Sequence, residues 1–352
     1  MSSAVSRRGL FRAGAVIAGS ATGIAALGPG PASAETAARP PAGRVVRPPA
    51  LKAGDRVRIV APAYPGDSRL VRGTEILQSL GFVVEFGEHV YDTYGHLAGP
   101  DEHRLADLNA AFRDPGIRGV FGARGGYGTE RIVDGLDIAA VRRDPKVFIG
   151  FSDLTALHGR LWHHAGLVTF YGPLATWTDA RTGPASIESM RAALMTTDPI
   201  TITRDPSEPS AAVTITGNAT GVASGPLLGG NLTMIQAALG TGDFPPLDGA
   251  IFLFEDTGEA PYSYDRMLTQ LRRTGALKHI AGVAIGQFNG ADVPAGQWTA
   301  AQAVTDRLGD LGVPVLGGLR IGHGNGQLTV PHGARATVDT VNGTLTVEAG
   351  VR

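Results

Sequence analysis

The chain has 352 residues, 43% of them hydrophobic and 18% charged, enough for two domains that each bury a core. Its 31 basic and 32 acidic residues leave a net charge of −1, which argues against nucleic acid or any other polyanion as partner. Cysteine is absent, so disulfides, a thiolate nucleophile and cysteine metal sites are excluded. Histidine and carboxylate metal sites stay open, although no H-E-x-x-H spacing occurs.

Residues 1–34 read as a targeting segment. Arg7 and Arg8 precede a weakly apolar, Gly/Ala-rich stretch from Ala13 to Leu27, and Ala32-Ser33-Ala34 offers a small-residue cleavage site. The pattern resembles a twin-arginine signal and predicts an extracytoplasmic or secreted protein. The alternative is an uncleaved anchor, but the apolar run falls short of the ~20 residues a span needs. No later stretch is long enough to span, so no stable membrane span is expected after cleavage. Residues 35–53 are rich in Pro and Ala and predict a flexible leader.

From Gly54 onward, short apolar runs alternate with helical patterns. Strands are expected at Val57–Pro62, which ends in a turn, and at Phe82–Phe86, Gly119–Gly122 and Val147–Gly150. Helices are expected at Val71–Leu80, Glu102–Arg113, from Thr129, and at Asp153–His164. This alternation predicts an α/β fold with a Rossmann-like parallel sheet over 54–176, and ligands sit beyond the carboxyl ends of such strands. Residues 177–224 read as a linker with some β structure, including a possible strand at Ser210–Thr216. A smaller, β-rich α/β domain is expected over 225–352. Its helices fall at Asn231–Leu239, Tyr264–Thr274 and Trp298–Gly309, and its strands at Ala250–Glu255, Ala281–Ile285 and Val313–Leu316. Asn342-Gly343 between alternating runs marks a terminal hairpin.

The chemistry concentrates at element ends. Ser152 stands where the apolar run Val147–Phe151 stops and a helix begins. A serine on such a turn exposes its hydroxyl beside the orphan N–H groups of the first helical turn. The local match to G-x-S-x-G is incomplete, because Leu154 replaces the second glycine, and a capping role for Ser152 competes with a nucleophilic one. Glu255 closes the apolar strand at 250–254, a place from which a carboxylate can orient an imidazole. Asp256 and Glu259 are its neighbours. His323 lies between Gly322 and Gly324, where the backbone can turn sharply and approach a ligand. His158 is the rival base, and His163 and His164 look structural. The loop Arg124-Gly125-Gly126-Tyr127-Gly128 fits neither a P-loop nor a dinucleotide fingerprint. It suits a backbone turn that donates N–H groups to an oxyanion near Ser152, with Arg124 available for a substrate carboxylate.

Five ordered blocks, Ile59–Ala63, Arg124–Gly128, Ile149–Asp153, Gly229–Thr233 and Leu253–Asp256, together with the short Gly322-His323-Gly324, resemble the LD-carboxypeptidase family of serine peptidases, the muramoyl-tetrapeptide carboxypeptidases. The likeness covers about Val57 to Val338. It implies Ser152 as nucleophile, Glu255 as carboxylate and His323 as base, with oxyanion donors on Asp153 and on Gly125 or Gly126. It also implies a homodimer. The expected reaction is hydrolysis of an L,D-peptide bond in a muropeptide-like substrate, releasing terminal D-alanine through an acyl-enzyme, with no metal or organic cofactor. Arg124, Tyr127 and Trp177 are the expected substrate contacts. A second branch, similar to the microcin C immunity peptidases, cleaves amides of peptidyl or aminoacyl nucleotides. There Trp177 could stack on a base, or it could simply pack at the domain junction. Family members that recycle wall peptides usually act in the cytoplasm, so the export signal is a departure. Two other readings are an α/β-hydrolase esterase and an exported peptide-binding protein. The first lacks its second elbow glycine, and the second gives the three site residues no joint task.

Overall fold

Continuous apolar runs bury both faces of a strand, and Val147–Gly150 and Thr169–Tyr171 are runs of this kind within the first lobe. In chain order its elements are β1 (Arg56–Val60), α1 (Leu70–Ser79), β2 (Val83–Phe86), α2 (Asp101–Arg113), β3 (Ile117–Gly122), α3 (Ile138–Arg143), β4 (Val147–Gly150), α4 (Thr155–Ala165) and β5 (Thr169–Tyr171). The order across the sheet is β5-β4-β3-β1-β2, all parallel. The strand order reverses between β1 and β3. Loops leaving the carboxyl ends there open a crevice, and both the 124–128 loop and Ser152 follow strands at that edge. The computed structural model describes residues 45–289, 293 and 296–352. Residues 1–34, read from the sequence as a twin-arginine signal, and residues 35–44 of the expected leader lie outside the described residues.

The second lobe is built on a seven-stranded sheet. After α5 (Pro184–Met195) and β6 (Ile200–Thr203) come β7 (Val222–Asn231), α6 (Leu232–Ala237), β8 (Ile251–Thr257), α7 (Pro261–Arg273), β9 (Gly282–Asn289), α8 (Ala300–Leu308) and β10 (Val315–Leu316). The chain ends with β11 (Val330–His332), β12 (Arg335–Asp339) and β13 (Thr344–Val347). The sheet runs β10-β9-β8-β7-β12-β13-β6, with β10 to β7 parallel and the remainder antiparallel. The fold is α/β in two lobes, as the alternation of elements predicts.

Three boundaries differ from the sequence reading. Residues 177–224 are not a loose linker: Met190, Ala193 and Leu194 of α5 pack into the first lobe's core, and β6 edges the second sheet. The 210–216 stretch is mainly a 3-10 turn (Pro209–Val213), and Ile215 alone bridges to Val315. The last leader residues are packed as well, since Val46 bridges Leu167 and Leu51 is 2% exposed. The lobes also exchange chain. Strand β11 leaves the second lobe and pairs antiparallel with β5. A shared apolar cluster joins Phe151, Val168 and Tyr171 to Leu227, Leu253, Ile321 and Val330. Among the described residues, no helix is long and apolar enough to cross a membrane.

Candidate active site

The first component is the turn at Ser152. Its φ is +64°, and it is the one non-glycine residue with positive φ among the described residues. That conformation costs an L-residue roughly 1–2 kcal/mol and persists only where the surroundings enforce it. Several contacts do so. The Gly150 carbonyl accepts from the Gly172 N–H (3.1 Å) and from His158 Nε2 (3.0 Å). His158 Nδ1 in turn accepts from the Thr169 hydroxyl at 2.7 Å. Full burial pushes His158 down to about 4, so it is a neutral brace behind the turn and not a base. Buried Asp153 accepts the Thr129 N–H at 2.9 Å, which ties the glycine loop to the serine turn.

Glu255 and His323 arrive from the other lobe. Glu255 sits in β8, fully buried, and His323 lies in the loop between β10 and β11. The His323 Nδ1 stands 2.7 Å from Glu255 Oε2, and His323 Nε2 stands 3.0 Å from Ser152 Oγ. The glycines beside the histidine have a steric reason. A Cβ on Gly322, whose φ is +122°, would lie 2.4 Å from Glu255 Oε2, and a Cβ on Gly324 would lie 2.2 Å from the Gln287 amide. Gln287 accepts the Gly324 N–H at 2.8 Å and pins that loop. The other Glu255 oxygen accepts from the Tyr171 hydroxyl at 2.7 Å and from Asn231 Nδ2 at 3.4 Å. Burial, then the Glu255 charge, raise Tyr171 well above its ordinary value, so it remains a donor. Burial and the same glutamate push Asp256 up to about 6. Hydroxyl, imidazole and buried carboxylate in series can move a proton off the serine and stabilise the resulting cation.

The crevice over this trio holds about 350 Å³ and is lined by Tyr64, Arg69, Arg124, Gly125, Arg181 and Gln327, among others. A Cβ on Gly125 would come within 3.2 Å of the Ser152 Cβ, whereas one on Gly126 would collide with the Tyr64 ring. Of the two glycines, Gly125 is the one against the nucleophile. Two expected substrate contacts fall elsewhere. Trp177 is 4% exposed, its Nε1–H donates to the Thr182 carbonyl, and it packs in the first lobe's core, so its ring has no free face. Tyr127 is exposed and turns toward His96, at 5.8 Å between ring centroids, instead of lining the crevice. A larger cavity of about 460 Å³, between Ala156 and Gly159 on α4 and Met234 and Ile235 on α6, contains none of the trio. His89, Asp92 and His103 bring potential metal-ligating atoms within 4.8 Å of one another, away from the crevice lining.

Residues 57–172 match the LD-carboxypeptidase N-terminal domain, and 224–338 match the LD-carboxypeptidase C-terminal domain. The chain belongs to the LD-carboxypeptidase family. It is a serine-type carboxypeptidase, a hydrolase. The "Probable murein peptide carboxypeptidase" of Bacillus subtilis (strain 168) is 37% identical over 312 residues, which span 87% of this chain and 95% of that one. The crystal structure of muramoyltetrapeptide carboxypeptidase from Oxalobacter formigenes superposes with a TM-score of 0.73 at 28% identity, covering 84% of this chain and all (100%) of that one. The microcin C7 self-immunity protein MccF, as an inactive mutant in the apo state, gives a TM-score of 0.75 at 22% identity over 86% of this chain and 98% of its own. That likeness carries the fold alone.

In this LD-carboxypeptidase several residues around the trio were not assigned a role from the sequence. Tyr171 ends β5 one strand away from Ser152, and only the β4–β5 pairing, Gly150 against Tyr171, makes it a neighbour. Position at a strand's carboxyl end was the one available hint. Asn231 caps α6 through a side-chain bond to the Met234 N–H while also reaching the carboxylates of Glu255 and Asp256. The G-G-N-L-T block therefore has a physical task. Gly230, at φ +142°, lets the strand end pass Thr155, whose hydroxyl then accepts the Asn231 N–H at 3.0 Å. Arg69 and Arg181 come from loops with no distinguishing composition.

Proposed function

We propose that this carboxypeptidase hydrolyses an L,D-peptide bond at the carboxyl end of a peptidoglycan-derived peptide, releasing D-alanine through an acyl-enzyme. The observation that carries the reading is the continuous path from Ser152 Oγ through His323 to Glu255 Oε2, with contacts of 3.0 and 2.7 Å. His323 Nε2 takes the serine proton as Oγ attacks the scissile carbonyl carbon. The imidazolium then gives that proton to the departing amine, leaving the acyl group on Ser152. Water, deprotonated by the same imidazole, attacks the ester and frees the shortened peptide. Glu255 holds Nδ1–H and balances the transient cation. Tyr171 and Asn231 occupy its other oxygen, which leaves Oε2 for the imidazole. The N–H groups of Asp153 and Gly125 are the assigned oxyanion donors. Removing one such donor costs roughly 3–4 kcal/mol of barrier.

The substrate class draws on the names of the relatives, one a murein peptide carboxypeptidase and one a muramoyltetrapeptide carboxypeptidase. Cleavage of a nucleotide-linked amide, the second branch's chemistry, would be helped by an open aromatic platform, and the buried Trp177 offers none. Export by the twin-arginine route and assembly as a homodimer belong to the same reading. They draw on the amino-terminal residues and on the family, respectively. Substituting Ser152→Ala is expected to abolish D-alanine release from a murein tetrapeptide, read by mass spectrometry, with the melting temperature retained. Turnover at the wild-type rate by that variant would sink the assignment.

A further inference from the structure

Three guanidinium groups line the crevice, those of Arg69, Arg124 and Arg181. Two of them already have an anion. Arg69 forks onto Asp67, with Nε 2.9 Å from Oδ1 and Nη2 2.6 Å from Oδ2. Arg124 Nη1 stands 3.3 Å from the same carboxylate, and its guanidinium lies 5.6 Å from the Tyr64 ring centroid. The hydrogen bond from Arg69 holds Asp67 below the usual carboxylate range, so the shared anion is fully charged at neutral pH. Arg181 differs. Among the described residues its side chain makes no hydrogen bond or ion pair, and it is half-buried. Partial burial disfavours its charge and the nearby Glu255 carboxylate favours it, and it remains charged because guanidinium does not deprotonate in proteins.

Two further observations point the same way. The Arg181 carbonyl accepts the N–H groups of Gly326 (2.8 Å) and Gln327 (3.2 Å), so its backbone is stapled to the loop that carries His323. Its distance from the proton-transfer centre is thereby built in. Gln327 is fully buried, lines the same crevice, and both polar atoms of its side-chain amide lack a hydrogen-bond partner. A free cation beside an unsatisfied amide describes a pocket awaiting an anion with spare acceptor sites.

We propose that Arg181, and not the Asp67-paired Arg124, receives the terminal carboxylate of the peptide substrate and makes the enzyme dependent on a free carboxyl end. This inference rests on the carboxypeptidase reading above and names the residue that enforces it. A carboxylate can take two N–H bonds from a planar guanidinium, while a carboxamide brings no charge and turns one donor toward another. Arg181 is therefore a specificity residue acting mainly on substrate binding.

The test compares a tetrapeptide ending in D-alanine with the same peptide ending in D-alaninamide, using the full-length wild type, R181Q and R181K. The wild type is expected to prefer the acid by on the order of 100-fold in kcat/KM. R181Q should lose most of that preference through a raised KM for the acid, while cleavage of the amide falls by a much smaller factor. R181K, which keeps the charge but not the fork, should fall between them. A merely structural role would lower both activities together. Wild-type preference retained in R181Q, or no preference in the wild type, overturns the anchor while leaving the substrate reading intact. Cleavage of neither peptide by the wild type overturns both. Where R181Q melts far below the wild type, R181K decides: an undiminished preference there also overturns the anchor.

Discussion

At the residue scale, the site depends on how closely backbone and side chain can approach. Gly322 passes the Glu255 carboxylate so closely that a single methyl group would lie 2.4 Å from Oε2, at a φ of +122° that L-residues rarely adopt. Alanine at that position must displace either the loop or the carboxylate, and both movements separate Glu255 from His323. Misplacement by about 1 Å costs roughly 100-fold in rate. Gly322→Ala is therefore expected to lower kcat by at least about 100-fold, and to destabilise the protein by roughly 1–3 kcal/mol from backbone strain. Steady-state kinetics and urea unfolding measure the two effects. Wild-type kcat would show that the contact can relax without consequence. Glycines on both sides of a histidine announced a close approach, so this much was legible in the sequence. What was approached was not legible, because Glu255 lies far back along the chain. Trp177 marks the opposite failure. An aromatic residue just after a strand resembles a platform until the fold buries it in the first lobe's core, with its N–H on the Thr182 carbonyl, and local sequence carries no record of that cover.

At the element scale, β4, its turn and α4 form one braced unit, and the brace is a neutral imidazole. His158 is fully buried between Gly150 and Thr169, and burial lowers it from 6.5 to about 4. The folded state thus binds fewer protons than the unfolded chain between these two values. Stability is full above pH 6.5 and declines as pH falls toward 4, by about 3 kcal/mol for this one group. His332, lowered by its own burial and by His158, works in the same direction. His158→Gln cannot titrate, so it should lose less stability than the wild type between pH 7 and pH 4, whatever its absolute stability at pH 7. Urea unfolding at both pH values measures the difference. Equal losses in the two proteins would remove His158 as a source of acid sensitivity. The presence of a helix after Ser152 was readable from its apolar spacing, although the expected span Asp153–His164 begins in what is a 3-10 turn. The task of its histidine was not, since an imidazole facing a strand's carbonyl and one facing a substrate look alike in a helical pattern.

At the scale of the whole molecule, the two lobes are separate in element order but not in their cores. Alternating strands and helices made the first sheet legible from β1 to β5, because each βαβ unit is a local pattern with one handedness. Return of the chain was invisible to that logic. Strand β11 falls in the alternating tail of the second lobe and yet edges the first sheet, where its three residues pair with β5. The end of the chain goes further. Val351 is 2% exposed within the first lobe's core, and Arg352 exchanges backbone hydrogen bonds with Pro48 and Ala50 at 3.0 and 3.1 Å. The first lobe cannot complete either its sheet or its core without residues from beyond the second. Ser152 and His323 must also stay within 3.0 Å across that junction, which independent lobe motion would disrupt. Calorimetry of the full-length protein is therefore expected to give one unfolding endotherm, with activity lost at the same temperature. A fragment of residues 54–176 should show no cooperative transition. Two resolved endotherms, or a fragment that melts cooperatively, would mean that the shared cluster around Phe151, Tyr171 and Val330 contributes little to coupling the lobes.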